Sequence, residues 1–296
     1  LNCLVLGEDV LPGSTDWDIF VKEIRKEMTV KAGQKCTAVR RILVPDNFIE
    51  EVQKGVAARL ASTTIGDPKV EGVRMGALIN RLQVDRVREN VELLAKSQEI
   101  VYGDLDQFDV VGADKDKGAF FSPILFLNDS PFHKQDVHNV EAFGPVSTIM
   151  PYKNMDEAIE LTKLGKGSLV TTIVTADDKE AREFVVETAS VNGRILVLNK
   201  DCAKESTGHG SPMPLLTHGG PGRAGGGEEM GGKRGIMHYL QRTAIQGHPT
   251  TITEITQQFQ QGPTETSTSA LDMALAGPGF FVVKSGAGGV QTHFTR

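Results

Sequence analysis

The sequence is poor in the residues on which disulfide-rich and nucleic-acid-binding proteins depend. Its 296 residues include only three cysteines, Cys3, Cys36 and Cys202. They are odd in number and far apart, which argues against a disulfide framework and predicts a reducing compartment, the cytoplasm. Acidic residues (38) outnumber lysine and arginine (32), and the net charge of −6 argues against a nucleic-acid partner. No run of about 18 apolar residues and no secretory signal pattern occur, so we expect no membrane-spanning segment.

Helix and strand patterns alternate along most of the chain. Apolar stripes predict helices at 17–28, 48–60 (with Asp46 as N-cap), 84–94 and 155–164, and two more that begin at about 178 and at Gly235. Apolar runs predict strands at 1–6, 41–45, 100–102, 120–127, 146–151, 168–174 and 194–198. The alternation predicts an α/β fold, a parallel-rich sheet with crossover helices, in which short loops at the strand ends carry the chemistry. The end of the chain is expected to be an irregular tail.

Cys36 lies in a short glycine-containing loop between a predicted helix and a predicted strand. A thiol at such a joint is open to a ligand while rigid elements on either side fix its position. The alternative is a small buried hydrophobic residue, the common fate of a free cysteine. Lys31 and Lys35 flank the loop; we interpret them as solvated surface lysines rather than as charges that favour the thiolate.

Five short motifs follow one another over residues 1 to about 250. They are Gly33-Gln34-x-Cys36-x-Ala38-x-x-Arg41, Gly66-Asp67-Pro68 with 75–79, 119–125, 141–146 and 193–199. In this order they resemble the nucleophile loop and the later motifs of the aldehyde dehydrogenase superfamily. The last motif and the glycine-rich run that continues to 238–243 resemble one branch in particular. That branch is the aldehyde dehydrogenase part of the bifunctional enzymes of phenylacetate degradation, which combine an oxepin-CoA hydrolase with a semialdehyde dehydrogenase.

The resemblance implies a function for three residues of this sequence. Cys36 is expected to be the catalytic nucleophile, and Glu141 and Phe143 are expected to contact the ribose and nicotinamide of NADP or NAD. The substrate is expected to be a small aldehyde linked to CoA, and the parent enzyme a homo-oligomer. The resemblance also places the catalytic glutamate and the dinucleotide-binding half upstream of Leu1, so we expect this chain to be the catalytic half and to be inactive alone.

Each of these assignments has a plainer alternative. Without the resemblance, Glu141 reads as a solvated carboxylate and Phe143 as a core aromatic. His133 and His138 with Glu141 do not have the spacing of a zinc motif, so no metal site is predicted. His209 and His218 are interpreted as ordinary loop histidines, and Cys3 and Cys202 as structural residues.

Two glycine-containing segments near the end of the chain have different interpretations. The run 219–227 lacks the preceding strand and the following Lys-Ser/Thr of a phosphate loop, so a structural loop is predicted. Residues 269–283 and 293–296 resemble a motif of flagellar hook and rod proteins. We therefore predict two parts, 1–250 as the aldehyde dehydrogenase catalytic half and 251–296 as a linker and hook/rod-like segment, with the junction between 250 and 266. The alternative function is that of a structural or assembly protein that uses this segment.

Overall fold

The computed structural model describes residues 1–212, 218–225 and 243–247, and the backbone of two strands at 281–284 and 292–295. The chain divides into two compact units, Leu1–Thr253 and Glu254–Arg296. The predicted helix that begins at Gly235 lies outside the described residues, as does most of the hook/rod-like segment. The assignment of the two parts to two parent families therefore stays a prediction.

The strands and helices alternate as the sequence patterns predict. The strands are β1 (Cys3–Leu6), β2 (Arg41–Pro45), β3 (Glu99–Tyr102), β4 (Ile124–Leu127), β5 (Val146–Tyr152), β6 (Ser168–Val174), β7 (Asn192–Leu198), β8 (Ala244–Gln246), β9 (Phe281–Lys284) and β10 (Thr292–Thr295). The helices are α1 (Thr15–Thr29), α2 (Ile49–Ala61), α3 (Arg81–Leu94), α4 (Asp136–Asn139), α5 (Met155–Lys163) and α6 (Asp178–Thr188).

The described strands of the first unit form one eight-stranded sheet in the order β3-β4-β5-β2-β1-β6-β7-β8. Every neighbouring pair in it is parallel except β3 and β4, which are antiparallel. The chain winds from β1 to one side and returns through α5 to add β6 to the other side. This confirms the predicted α/β fold with a parallel-rich sheet. In the second unit, β9 and β10 pair antiparallel.

Alternate residues of β1 point to opposite faces of the sheet, and helices cover both faces. Leu4 and Leu6 belong to a core that includes apolar residues of α1 and α2, whereas Cys3 and Val5 belong to a second core with α5 and α6. The predicted stripe of α1 is buried, and the Ser14 side chain caps the helix by accepting a hydrogen bond from the Trp17 N–H. Burial of both faces explains why the central strands read as continuous apolar runs.

Two element boundaries differ from the predicted ones. Asp46 does not cap α2, because a 3-10 turn at 46–48 precedes the helix and the cap position, Phe48, makes no side-chain cap bond. Strand β4 begins at Ile124 rather than at 120. Pro123 has no N–H to donate to a neighbouring strand, and Phe120 and Phe121 pack instead into a third core with α3. Within the described residues, no helix combines the length and the apolar character needed to cross a bilayer.

The predicted site residues lie at the amino-terminal ends of the parallel strands. The Cys36 loop leads into β2, and the segment with Glu141 and Phe143 leads into β5. Doubly wound sheets usually bind ligands at the carboxyl ends of their strands. Here the candidate site occupies the opposite edge.

Candidate active site

The loop before Cys36 reverses the chain through three consecutive residues in the left-handed region. Lys31, Ala32 and Gly33 have φ values of 53°, 50° and 67°. Such a conformation costs about 1–2 kcal/mol for each residue that has a Cβ. The surrounding contacts must offset this cost, so the position of the following thiol is imposed by its neighbours rather than by local preference.

Arg40 connects the loop that holds Cys36 to the segment that holds Glu141 and Phe143. Its buried guanidinium donates hydrogen bonds from Nη2 to the Gly33 carbonyl (2.7 Å) and from Nη1 to the Gly144 carbonyl (2.5 Å). Nε lies 3.5 Å from Oε1 of Glu141, an ion pair too long for a good hydrogen bond. The guanidinium carbon also lies 5.3 Å from the centre of the Phe143 ring.

Gln34 makes a second connection between the same segments. Its amide nitrogen donates to the Phe143 carbonyl (3.2 Å), and its amide oxygen accepts from the Ile79 N–H (2.9 Å). The backbones of Gly33 and Gly144 are so close that a Cβ at Gly33 would collide with the Gly144 carbonyl. The two predicted parts of the site, about a hundred residues apart in sequence, therefore form one structure.

The peptide that carries Cys36 is fixed from its other side by Asn2. The Asn2 amide nitrogen donates to the carbonyls of Cys36 (2.8 Å) and Ala38 (3.1 Å), and its oxygen accepts two backbone N–H groups of β6. Thr37 adds a hydrogen bond from its hydroxyl to the Gly210 carbonyl (3.0 Å). The loop is thereby attached to β6 and to the segment that follows β7.

Lys35 is not the solvated surface lysine that the sequence predicted. Its ammonium lies 2.8 Å from both carboxylate oxygens of Glu27, and only 13% of its side chain is exposed while that of Glu27 is fully buried. Desolvation raises the pKa of Glu27 and the neighbouring ammonium opposes the rise. The neighbour that makes Lys35 structural is eight residues away on α1, where Glu27 appears in sequence as an ordinary polar position. Lys31 remains exposed, as predicted.

The thiol of Cys36 is exposed, which argues against its reading as a buried apolar residue. Its Sγ lies 3.5 Å from Nε2 of His218, a residue that the sequence reading treated as an ordinary loop histidine. No described residue accepts a hydrogen bond from the Cys36 backbone N–H, so this donor is available to a ligand oxygen. An exposed thiol, an imidazole and a backbone N–H that no described residue accepts from thus lie together.

Glu141 and Phe143 border the same site. The carboxylate and the aromatic ring are each 36% exposed, so both are accessible to a ligand while Arg40 holds their inner side. Neither plain alternative describes them fully, because Glu141 is ion-paired and Phe143 lies at the surface. Their contact with a cofactor stays a prediction.

Two of the histidines considered in the sequence, His138 and His209, are buried and hydrogen-bonded. Both ring nitrogens of buried His138 are occupied: Nε2–H donates to the Pro131 carbonyl, and Nδ1 accepts from the Arg41 guanidinium (3.1 Å). Burial and the Arg41 charge lower the pKa of His138 to about 4, which keeps it neutral. His209 is fully buried against the Thr172 hydroxyl. Cys3 is buried and Cys202 is half-buried.

Three features of the site were not found from the sequence: the anchoring by Asn2, the bridging by Arg40, and the contact of His218 with the thiol. The only sequence signals were an asparagine at the start of a strand, an arginine beside another arginine, and a histidine before a glycine pair. None of these signals indicates which distant group the residue contacts.

Comparison with known proteins identifies the family. A family model described as the aldehyde dehydrogenase family matches residues 10–245. The chain belongs to this family. Protein MaoC of Klebsiella aerogenes is 49% identical to this aldehyde dehydrogenase chain over 189 residues, 64% of the chain and 55% of MaoC. A 3,4-dehydroadipyl-CoA semialdehyde dehydrogenase of Aromatoleum evansii is 39% identical over 221 residues, 75% of the chain and 43% of that enzyme.

Solved structures of the same family share the fold of this chain. The betaine aldehyde dehydrogenase of Staphylococcus aureus in complex with NAD+ superposes with a TM-score of 0.66 at 21% identity, covering 80% of the chain and 43% of that enzyme. The chain spans about half the length of the curated relatives that it matches. The phenylacetate-branch resemblance agrees with the semialdehyde dehydrogenase relative.

Proposed function

We propose that this chain supplies the nucleophile and part of the cofactor contacts of an NAD- or NADP-dependent aldehyde dehydrogenase. The observation that carries the proposal is the exposed Cys36 thiol beside a backbone N–H that has no acceptor among the described residues. Both belong to a loop whose Gln34 donates a hydrogen bond to the Phe143 carbonyl. The family membership supports it.

Cys36 would attack the aldehyde carbon as a thiolate. The sulfur forms the new bond to carbon, the carbon–oxygen π pair moves onto oxygen, and the Cys36 N–H stabilises the resulting oxyanion of the thiohemiacetal. After oxidation the sulfur carries the acyl group as a thioester, which water releases as the acid. By the resemblance, a glutamate of the enzyme activates this water.

The residues beside the loop fit a nicotinamide cofactor. The exposed Glu141 carboxylate has an oxygen that can accept hydrogen bonds from ribose hydroxyls, and the exposed Phe143 ring offers an apolar edge for the nicotinamide. When bound, NAD or NADP supplies the hydride acceptor. Arg40 holds both side chains in place relative to the thiol.

The substrate that we propose is a CoA-linked semialdehyde of phenylacetate catabolism. The support is the Aromatoleum evansii relative, a 3,4-dehydroadipyl-CoA semialdehyde dehydrogenase that is 39% identical over three quarters of the chain, together with the motifs of the same branch. We also propose a cytoplasmic, homo-oligomeric parent enzyme. The alternative function, that of a structural or assembly protein that uses the hook/rod-like segment, stays a prediction.

The test follows reduced nicotinamide by its absorbance when the protein that carries this chain receives a CoA-linked semialdehyde and NAD+ or NADP+. We expect turnover, and we expect Cys36→Ala to lose it by at least about a thousandfold because the covalent step is removed. Cys202→Ala is the matched control and should keep full activity. Equal turnover by Cys36→Ala, or none with any aldehyde by the unmodified protein, would refute the proposal. The isolated 296-residue chain is expected to show no turnover.

A further inference from the structure

The contact between Cys36 and His218 connects residues that are 182 positions apart in the sequence. The 3.5 Å separation of Sγ and Nε2 is within hydrogen-bond range for sulfur. A nucleophile paired with an imidazole base in this way is the usual arrangement of an activated cysteine. Both side chains are exposed, so a substrate can reach them.

Backbone contacts hold the segment that follows His218. Gly219 and Gly193 are so close that a Cβ at Gly193 would collide with the Gly219 carbonyl, and a Cβ at Gly220 would lie 2.5 Å from the Ser168 carbonyl. The Arg223 guanidinium donates to the carbonyls of His138 (2.8 Å) and Asn139 (3.2 Å). The imidazole is therefore presented from a segment attached to the starts of β6 and β7.

Two charged residues close to Cys36 in sequence, Lys35 and Arg40, already have partners. Lys35, the neighbour of Cys36 in sequence, has its ammonium between the carboxylate oxygens of Glu27. Arg40 is directed to the carbonyls of Gly33 and Gly144. Among the described residues, His218 is the titratable side chain that hydrogen-bonds to the sulfur.

We propose that His218 is a catalytic residue that accepts the proton of the Cys36 thiol. The S–H bond breaks, the proton moves to Nε2, and the electron pair stays on sulfur, which gives a thiolate beside an imidazolium. A free thiol with a pKa of about 8.5 is only a few per cent ionised at neutral pH, so the pairing raises the reactive fraction. The inference deepens the proposed function, because it concerns activation of the same nucleophile.

The test measures thiolate formation without aldehyde or nicotinamide. Iodoacetamide alkylation of Cys36 is followed by intact mass from mildly acidic to alkaline pH in a Cys202→Ser background. We expect His218→Gln to slow alkylation near neutral pH about tenfold. His133→Gln, which changes an exposed histidine, is the control and should leave the profile unchanged. If the alkylation rates of Cys36 were the same at every pH in the His218→Gln variant and in the protein that retains His218, the proposal would be overturned.

A rescue experiment separates proton acceptance from a merely structural effect. Imidazole added to His218→Ala should restore fast alkylation, because the small base occupies the place of the side chain. Slow alkylation that imidazole does not restore would overturn the proton-acceptor role. The proposed function can fail separately. If His218→Gln slows alkylation of Cys36 as expected but the protein oxidises no aldehyde, only the dehydrogenase proposal is refuted.

Discussion

The amide of Asn2 donates a 2.8 Å hydrogen bond to the carbonyl of Cys36, and it is the same side chain that accepts two N–H groups from β6. One buried side chain thus positions Cys36 relative to the central sheet. The Asn2 amide bonds only to backbone groups, so replacing its nitrogen with an oxygen would place an acceptor against two carbonyls.

Asn2→Asp should destabilise the site although the two side chains have nearly the same size. One carboxylate oxygen of the aspartate still accepts from β6. The other replaces the amide nitrogen and faces the carbonyls of Cys36 and Ala38, which repel it. We expect a loss of about 2–4 kcal/mol in the free energy of unfolding and slower alkylation of Cys36. Denaturant unfolding and thiol labelling measure the two effects. Asn139→Asp, at an exposed position, is the control, and an equal loss there would contradict the explanation.

Gly33 predicts a second discriminating substitution. Gly33→Ala places a Cβ against the Gly144 carbonyl in addition to the strain of a φ of 67°, whereas Gly13→Ala meets only the strain of a φ of 84°, since nothing lies within 4 Å. We expect Gly13→Ala to cost about 1 kcal/mol and Gly33→Ala several times more, with loss of turnover. The measurements are thermal unfolding and aldehyde oxidation by the protein that carries this chain. Similar losses in both variants would show that the backbone of the loop can move away from Gly144.

The fold was largely predictable because its signals are local. The stripe of α1 and the run of β2 each lie within a few residues, and both were placed correctly. The site depended on contacts between distant segments. Arg40 meets a carbonyl 104 residues away and His218 meets a thiol 182 residues away, and neither contact leaves a periodic trace in sequence. The contacts of Asn2 could not be predicted either, since polar residues usually face solvent.

Phe143 provides a test of the cofactor side of the site. Phe143→Ala removes the exposed ring from beside Arg40, so we expect KM for NAD+ or NADP+ to rise by about tenfold, equivalent to ~1.4 kcal/mol, with little change in the alkylation of Cys36. Phe132→Ala is a matched control, because its ring is 37% exposed against 36% for Phe143. An unchanged KM in Phe143→Ala would remove this residue from the proposed cofactor contacts.

Lys35 and Glu27 should be more sensitive to the loss of one partner than of both. Lys35→Met leaves the Glu27 carboxylate buried without its cation, and we expect about 3–5 kcal/mol of destabilisation near neutral pH. The loss should shrink on acidification, as protonation neutralises Glu27. The double variant Lys35→Met/Glu27→Gln should recover much of the stability because no buried charge remains. Denaturant unfolding at two pH values tests this, and additive losses in the double variant would contradict it.

Glu180 gives the chain a stability that falls as pH rises. Burial, with the negative charge of Asp9, raises the pKa of Glu180 from 4.5 to about 7, while the Glu8 N–H donates to one of its oxygens. The folded state therefore holds this proton more tightly than the unfolded chain, so the contribution is fully present below pH 4.5 and is lost as pH rises to about 7. Glu180→Gln, which stays neutral, should be more stable above pH 7 by about 1–2 kcal/mol, after allowance for partial exposure, and equal to the parent in acid. Unfolding free energies across this range measure the effect, with Glu50→Gln as an exposed control; a Glu180→Gln curve that stays parallel to the parent would show that the proton is not held there.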